Sequence, residues 1–467
     1  MCSLRVLDLQ GTGIAFLPSS ISMLVFLRGL YLNSCNRLDW LPSEIKALQQ
    51  LEVLDIRGTR LNLLHIQSLI WLKCLRISLS NCCIERTEVS DSQWTGITFN
   101  PFQIPILLKQ VAVSLYSFGM GNHTQEQSGI ISRFVSLEEL SIDVEELSIG
   151  VDSSQQLRET VAKEAIEEIA KLNQLTSLRL YCPRVDHLGL FVTKSQVWNS
   201  PFTFQFSVGY EDSTHSQIFE SLHSPRYNSL KMVNGEGTDP VISEVLGKTH
   251  AFGLKNHRGV SSLSDFDIEK MNHMLVCLLE GCNKVETIIS GGGTMTRVLE
   301  NLEILHVNNM LRLASIWNGL VPDGSLGQLT TLTLIKCPEL KKVFSNGMIQ
   351  QLPQLQNLRV EECHQMEEII MEPENGGLEA NPLPRLMTLV LLDLPTLKSI
   401  WIDDSLNWPS LRKIKISACS MLKKLPFKIE NATRLRSIEG QNSWWEALEW
   451  TEDVAIKQGL ERLCILN

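Results

Sequence analysis

Leucines return at fixed distances near the start of the chain. Leu4, Leu7 and Leu9 follow an L-x-x-L-x-L pattern, and the same pattern begins again at Leu27 and at Leu51, at steps of 23 and 24 residues. Each L-x-L alternates an apolar with a polar position, which predicts a short strand with one buried and one exposed face. The recurrence predicts an array of similar coils rather than one globular core.

The pattern is clear again in the C-terminal part of the chain. It begins at Leu302, Leu329, Leu355, Leu386 and Leu411, at steps of 27, 26, 31 and 25 residues. These steps lie in or close to the range of about 20 to 29 residues typical of leucine-rich repeats. One repeat cannot bury its own leucines, but stacked neighbours can. We therefore predict an α/β solenoid, a leucine-rich-repeat horseshoe with a parallel concave β-sheet and an irregular or helical convex side.

A second fixed position lies eight residues after the first leucine of each repeat. It holds a cysteine or a threonine in seven repeats: Thr12, Cys35, Thr59, Cys282, Cys337, Cys363 and Cys419. Leucine-rich repeats place Asn, Cys or Thr there, turned inward to bond the backbone that leaves the strand. We call it the inward position, and we interpret these cysteines as reduced structural residues.

The middle of the chain keeps the pattern less well. The register is present in the repeats that begin at Leu137, Leu175 and Met274, whereas residues 202–210 and 230–233 give weaker strand patterns. Apolar residues near helical spacing predict a helix over residues 155–172. We divide the chain into regular repeats (1–85), divergent repeats with long insertions (86–300), regular repeats (301–440) and a Trp-rich cap (441–467).

Composition and charge narrow the class of protein. The chain is 43% hydrophobic but only 6% aromatic, which suits thin aliphatic layers. A net charge of -10 argues against wrapping nucleic-acid backbone, which needs many cationic contacts. No apolar stretch reaches the length of a membrane span, and the first ten residues lack a signal-peptide pattern, so we expect a cytoplasmic protein with no integral membrane segment.

Several short motifs resemble parts of phosphate-binding or metal sites, but each lacks a residue that such a site requires. The segment 247–249 reads Gly-Lys-Thr like the end of a phosphate-binding loop, but Ile242 stands where that loop needs glycine, which favours a surface loop. Cys82 with Cys83, and Cys363 beside His364, lack the partner spacing of a metal site. Paired glutamates mark solvated faces. We therefore expect no catalytic, cofactor or metal residues, and a binding module rather than an enzyme.

The exposed positions of the predicted strands are the candidate binding surface. Equivalent positions of stacked strands form rows, and in the C-terminal repeats these rows are mixed in charge with isolated apolar residues. The candidate face comprises His306, Asn308, Thr333, Lys336, Arg359, Glu361, Glu362, Val390, Leu392 and Lys415.

Residues 7–18, residues 332–344 and the Trp-rich segment 444–450 resemble a known family. They are similar to the repeats of plant coiled-coil nucleotide-binding leucine-rich-repeat disease-resistance proteins. The resemblance implies recognition of a pathogen effector or of a guarded host protein. It also implies restraint of the attached nucleotide-binding domain, which acts as the switch in innate immunity.

The chain departs from this family in one respect. The nucleotide-domain motifs and the N-terminal coiled coil are missing, and Met1 stands three residues before a core leucine. We therefore expect a fragment, a truncated gene product or a partial gene. Two alternatives stay open. The first is an extracellular leucine-rich-repeat receptor ectodomain or enzyme inhibitor, a class that paired cysteines would favour. The second is a ligase adaptor, which would need a helical N-terminus.

Overall fold

A computed structural model describes residues 3–59, 61, 66, 68–78, 131–143, 163, 165–209, 227–291, 296–344, 347–370, 383–400, 407–425, 433–450 and 454–466. The chain forms two compact units, Met1–Ser216 and Gln217–Asn467. Within the described residues, no helix combines the length and the apolar character that crossing a membrane requires.

Seven strands of the first unit pair in parallel. They are β1 (Val6–Asp8), β2 (Gly29–Tyr31), β3 (Val53–Asp55), β4 (Cys74–Ser78), β5 (Glu139–Asp143), β6 (Ser177–Cys182) and β7 (Thr203–Val208). The register aligns each repeat's core residue with the next, as in Leu54 beside Leu75 and Leu178 beside Phe204. The leucine spacing therefore yields a continuous buried row, because strands in register place like positions side by side.

Ten strands of the second unit form an equivalent parallel ladder. They are β8 (Ser229–Val233), β9 (Ala251–Lys255), β10 (Val276–Glu280), β12 (Ile304–Asn308), β14 (Thr331–Ile335), β16 (Asn357–Glu361), β18 (Thr388–Leu392), β19 (Lys413–Ser417), β20 (Ser437–Gly440) and β21 (Cys464–Leu466). Short strands on the opposite side of the coils also pair in parallel: β11 (Thr287–Ser290) with β13 (Ser315–Asn318), and β15 (Lys342–Phe344) with β17 (Glu368–Ile370). The solenoid prediction is confirmed, with strands where irregular structure was expected.

Helices are short. The α-helices whose bounds are fully described are α1 (Val185–Lys194), α2 (Pro240–Leu246), α3 (Asn442–Glu446) and α4 (Val454–Glu461). Turns of 3-10 helix occupy Ser19–Met23, Ser43–Ala47, Ile131–Arg133, Val197–Asn199, Leu263–Phe266, Ile268–His273 and Ile349–Gln351. The helix expected over 155–172 is present where it is described, at residues 165–169, with Ile166 and Ile169 buried; residues 155–162 and 164 lie outside the described part.

Eleven of the described strand exits show the same backbone turn. Seven residues after the first position of the repeat, one residue adopts a positive φ: Gly11, Ser34, Gly58, Asn234, Asn256, Gly281, Asn309, Lys336, Glu362, Asp393 or Ala418. The backbone N–H of this left-handed residue extends the ladder, as when Lys336 donates to the carbonyl oxygen of Glu361 at 2.9 Å. We call this position the left-handed position.

The next residue fills the inward position. Thr59 Oγ1 donates to the Ile56 carbonyl at 2.7 Å, Cys35 Sγ to Leu9 at 3.0 Å, and Cys337 Sγ to Ile335 at 3.4 Å. The cysteines of this position are buried free thiols, as predicted. Burial raises the pKa of Cys282 and Cys419 to about 11, which keeps them protonated.

Strand β9 was not predicted. Its repeat begins at Thr249, which is fully buried and donates to the carbonyl of Val245 at 2.8 Å, so the expected surface loop over 247–249 is in fact the entry to a coil. Gly247 caps the C-terminal end of α2. Since phosphates bind at helix N-termini, where partial charge is positive, this geometry argues further against a phosphate loop.

Candidate functional site: the strand face

The outward side of the second unit's ladder, here called the strand face, differs in solvent exposure along its length. In β8 and β9 its residues are buried, including Lys231 and Lys255 at 9% and 1% exposure, and in β10 the middle residue Leu278 is 3% exposed while Val276 and Glu280 are partly exposed. From β12 to β19 most face residues are partly or fully exposed. The accessible surface therefore coincides with the repeats on which the candidate residues lie.

The register brings the candidate residues together in rows. His306, Thr333, Arg359, Val390 and Lys415 are lateral neighbours in the middle row. Asn308, Glu361 and Leu392 lie in the row at the strand ends, and Lys336 and Glu362 occupy the left-handed position. Lys336, Arg359 and Lys415 are exposed, and the others except Thr333 are partly exposed.

Thr333 is the exception, since the sequence predicts an exposed position and the structure leaves the residue only 9% exposed. Its short side chain stands in register between the longer side chains of His306 and Arg359. Neighbours on adjacent coils, about 4.8 Å away, therefore decide its exposure. Thr333 contributes to the frame of the site more than to its accessible surface.

Charges on the face are largely paired with one another. Arg359 Nε donates to Glu361 Oε2 at 2.9 Å, which leaves the Glu361 side chain only 22% exposed. Lys336 Nζ lies 3.7 Å from Glu362, and Lys413 Nζ lies 2.5 Å from Glu439. Pairs this exposed contribute little stability, about 0 to 1 kcal/mol each, so they remain available for exchange with a partner's charges.

His306 lies at the β12 end of the middle row. Burial lowers its pKa below the ordinary value; the carboxylate of Glu280 opposes this shift and the guanidinium of Arg359 adds to it. Its Nε2 is buried without a hydrogen-bond partner among the described residues. A buried nitrogen without a partner costs free energy, so His306 is a weak point of the frame as well as a member of the row.

Val390 and Leu392 form the apolar part of the accessible face. They lie two residues apart on β18, so both point outward, and each is partly exposed. Arg359 and Lys415 flank Val390 in register. An aliphatic pair between two cations resembles the apolar centre and polar rim of protein interfaces.

The first unit's face contains a charge cluster that sequence reasoning missed. The carboxylate of Asp55 is 1% exposed, accepts from Arg57 Nη2 at 2.6 Å and lies 3.8 Å from Arg76. Arg76 also lies 3.3 Å from Glu139, which accepts from Cys74 Sγ at 3.2 Å. Burial, with this hydrogen bond, raises the pKa of Cys74 to about 12. The cluster is a structural network that joins three coils.

Neither metal nor thiol chemistry emerges from the described residues. They contain no group of three or more His, Cys, Asp or Glu able to hold an ion. His364 contacts Asp393 at 3.4 Å, while the adjacent Cys363 turns inward to backbone carbonyls. Cys82 and Cys83 lie outside the described residues.

Repeated parallel strands, left-handed exits and inward Cys or Thr define a leucine-rich-repeat protein. Residues 302–440 match the family described as plant disease resistance protein RPS2-like, leucine-rich repeats. In this region the chain carries the leucine-rich repeats of a plant disease-resistance protein, as the resemblance implied.

Relatives extend the likeness beyond that range. A disease resistance protein of Arabidopsis thaliana is 25% identical over 463 residues, 97% of this chain, and this chain spans 42% of that relative's length. A probable disease resistance protein of the same plant is 32% identical over 147 residues, which are 30% of this chain and 16% of that protein. A leucine-rich-repeat protein of Leptospira interrogans aligns at a TM-score of 0.45 and 16% identity, covering 100% of this chain and 96% of the other.

Proposed function

We propose that this chain is the protein-recognition module of a plant innate-immune receptor, and that the strand face from β12 to β19 binds a pathogen effector or a guarded host protein. The observation that carries the proposal is that the accessible, chemically varied rows fall within the repeats that match disease-resistance proteins. The same module would restrain an attached nucleotide-binding switch domain in the cytoplasm.

The fold and the family favour binding over catalysis. Parallel coils present a broad, rigid surface, and function on such scaffolds resides in the side chains displayed there. The nine described cysteines are free thiols, whereas a secreted array commonly pairs its cysteines. This supports a receptor of the reducing cytoplasm over an extracellular ectodomain.

Binding assays with face variants test the proposal. Val390→Asp places a charge at the apolar centre and is expected to weaken binding by about tenfold or more, since interface centres tolerate charge poorly. Arg359→Ala and Lys415→Ala are expected to weaken binding less and to reduce its dependence on salt. The partners to assay are candidate effectors and the nucleotide-binding domain of a receptor of the resembled family, each against the purified chain.

A matched control comes from the opposite side of the coils. Lys284 and Arg312 are exposed there, and their alanine variants remove the same charge without touching the strand face. They should bind as the parent does. Equal loss of binding in this control, or no binding of the parent to either class of partner, contradicts the proposal.

A further inference from the structure

Three arginines stack on consecutive coils at the C-terminal end of the second unit. The N–H of Arg412 bonds the Met387 carbonyl and the N–H of Arg436 bonds the Arg412 carbonyl, both at 2.8 Å. Pairing of Ile438 with Cys464 sets Arg462 beside Arg436. All three are exposed, and successive strands are about 4.8 Å apart. We call Arg412, Arg436 and Arg462 the arginine column.

The column is not neutralised within the described structure. None of its three guanidinium groups has a carboxylate within ion-pair distance among the described residues; nearby Glu439 is engaged by Lys413 at 2.5 Å. A further cation lies close in sequence, since Arg434 precedes Arg436 by two residues and is also exposed. The chain therefore concentrates positive charge at this edge although its net charge is -10.

Elsewhere the same unit alternates its charges from coil to coil. Lys341, Glu367 and Lys398 form a stacked row in which Lys398 Nζ lies 2.8 Å from Glu367, and Lys342 lies 3.8 Å from Glu368. Like charges on adjacent strands are destabilising, whereas opposite charges are favourable. The arginine column reverses this arrangement and so costs stability, as binding sites often do.

We propose that the arginine column is a docking site for an acidic segment of a protein partner, separate from the strand face. Guanidinium groups bind carboxylates in bidentate geometry, and a row of three matches a run of Asp or Glu side chains. Nucleic acid fits less well, because its affinity comes from many more phosphate contacts than three and the acidic chain opposes it.

The test uses the whole 467-residue chain and a fluorescein-labelled twelve-residue peptide of alternating Glu and Ala. Fluorescence anisotropy should show saturable binding that weakens as salt rises from about 50 to about 300 mM. The triple variant Arg412→Gln, Arg436→Gln, Arg462→Gln should lose about tenfold or more in affinity. Its melting temperature should rise, because mutual repulsion is removed.

A charge-matched control is Lys284→Gln, Arg312→Gln, Lys423→Gln, three exposed cations outside the column. It should keep affinity within about twofold of the parent. The proposal is overturned if the parent does not bind the peptide, if the control loses as much affinity as the column variant, or if the column variant melts lower than the parent. A twelve-nucleotide single strand that binds more tightly than the peptide would show that the class of partner is wrong.

Discussion

Acid should weaken the coil that contains His257. This side chain fills the inward position of the β9 repeat at 1% exposure, where the following coils carry Cys282 and Met310. Its Nδ1 accepts from the N–H of Gly259 at 3.2 Å, and its ring packs edge-on against Phe266. Burial lowers the pKa of His257 to about 4, so the folded chain holds it neutral.

The sign follows from proton linkage. The unfolded chain binds this proton near pH 6.5, whereas the folded chain binds it only near pH 4. The contribution of His257 to stability is therefore complete above about pH 6.5 and is lost as pH falls toward 4. Between pH 7.5 and 4.5 the loss amounts to about 2 to 3 kcal/mol.

Urea unfolding of the parent and of His257→Cys at both pH values measures this loss. Cysteine suits the inward position but does not titrate in this range, so the variant should lose about 2 to 3 kcal/mol less than the parent on acidification. Hydrogen exchange in β9 and β10 should locate the effect. His364→Gln, at an exposed histidine, is the control and should lose as much unfolding free energy on acidification as the parent does. Equal acid losses for the parent and His257→Cys would refute the reasoning.

Other expected outcomes concern frame and face. Leu332→Ala should lower the unfolding free energy by about 2 to 5 kcal/mol, because it leaves a cavity in the core. Exposed Lys415→Ala should change the unfolding free energy by less than about 0.5 kcal/mol. If urea unfolding gives the reverse order, the strand register assigned here is wrong by one residue. Ala418→Gly should raise the melting temperature, since glycine removes about 1 kcal/mol of left-handed strain, whereas a lower value would show that the strain is absent. Asp55→Ala should lower the unfolding free energy by about 2 to 4 kcal/mol in urea unfolding, because it removes the buried carboxylate shared by Arg57 and Arg76, and a neutral result would show that the cluster is dispensable.

The frame of this protein could be predicted because burial repeats with the coil. Leu332, Leu334, Leu358 and Val360 are each no more than 1% exposed, as the L-x-L pattern indicates. Strand β9 escaped prediction because its repeat begins with Thr249 in place of leucine, and the threonine satisfies its hydroxyl on a backbone carbonyl. The pattern records hydrophobicity, so a hydrogen-bonded polar residue in the core interrupts it without interrupting the fold.

The face could be predicted less completely, since lateral neighbours come from coils about 25 residues away in sequence. Alternation correctly points Arg359 and Lys415 outward. It cannot show that the side chain of Glu361 accepts a hydrogen bond from Arg359, or that Lys255 is only 1% exposed although it occupies a face position. Charge patterns across coils, such as the Asp55 cluster, become visible only once the register is known.

The left-handed position lets the protein change what it displays without changing its shape. At Asn309, Lys336 and Asp393 a backbone hydrogen bond to the next strand fixes the turn whatever the side chain. Ala418 adopts the same turn, with its N–H donating to Gln441 Oε1 at 3.2 Å, and all four side chains are exposed. Each non-glycine residue at this position lowers the stability of the fold by about 1 kcal/mol, which the array tolerates because many coils stabilise one another. Single substitutions at these sites can therefore change the displayed surface while every coil keeps its neighbours in place.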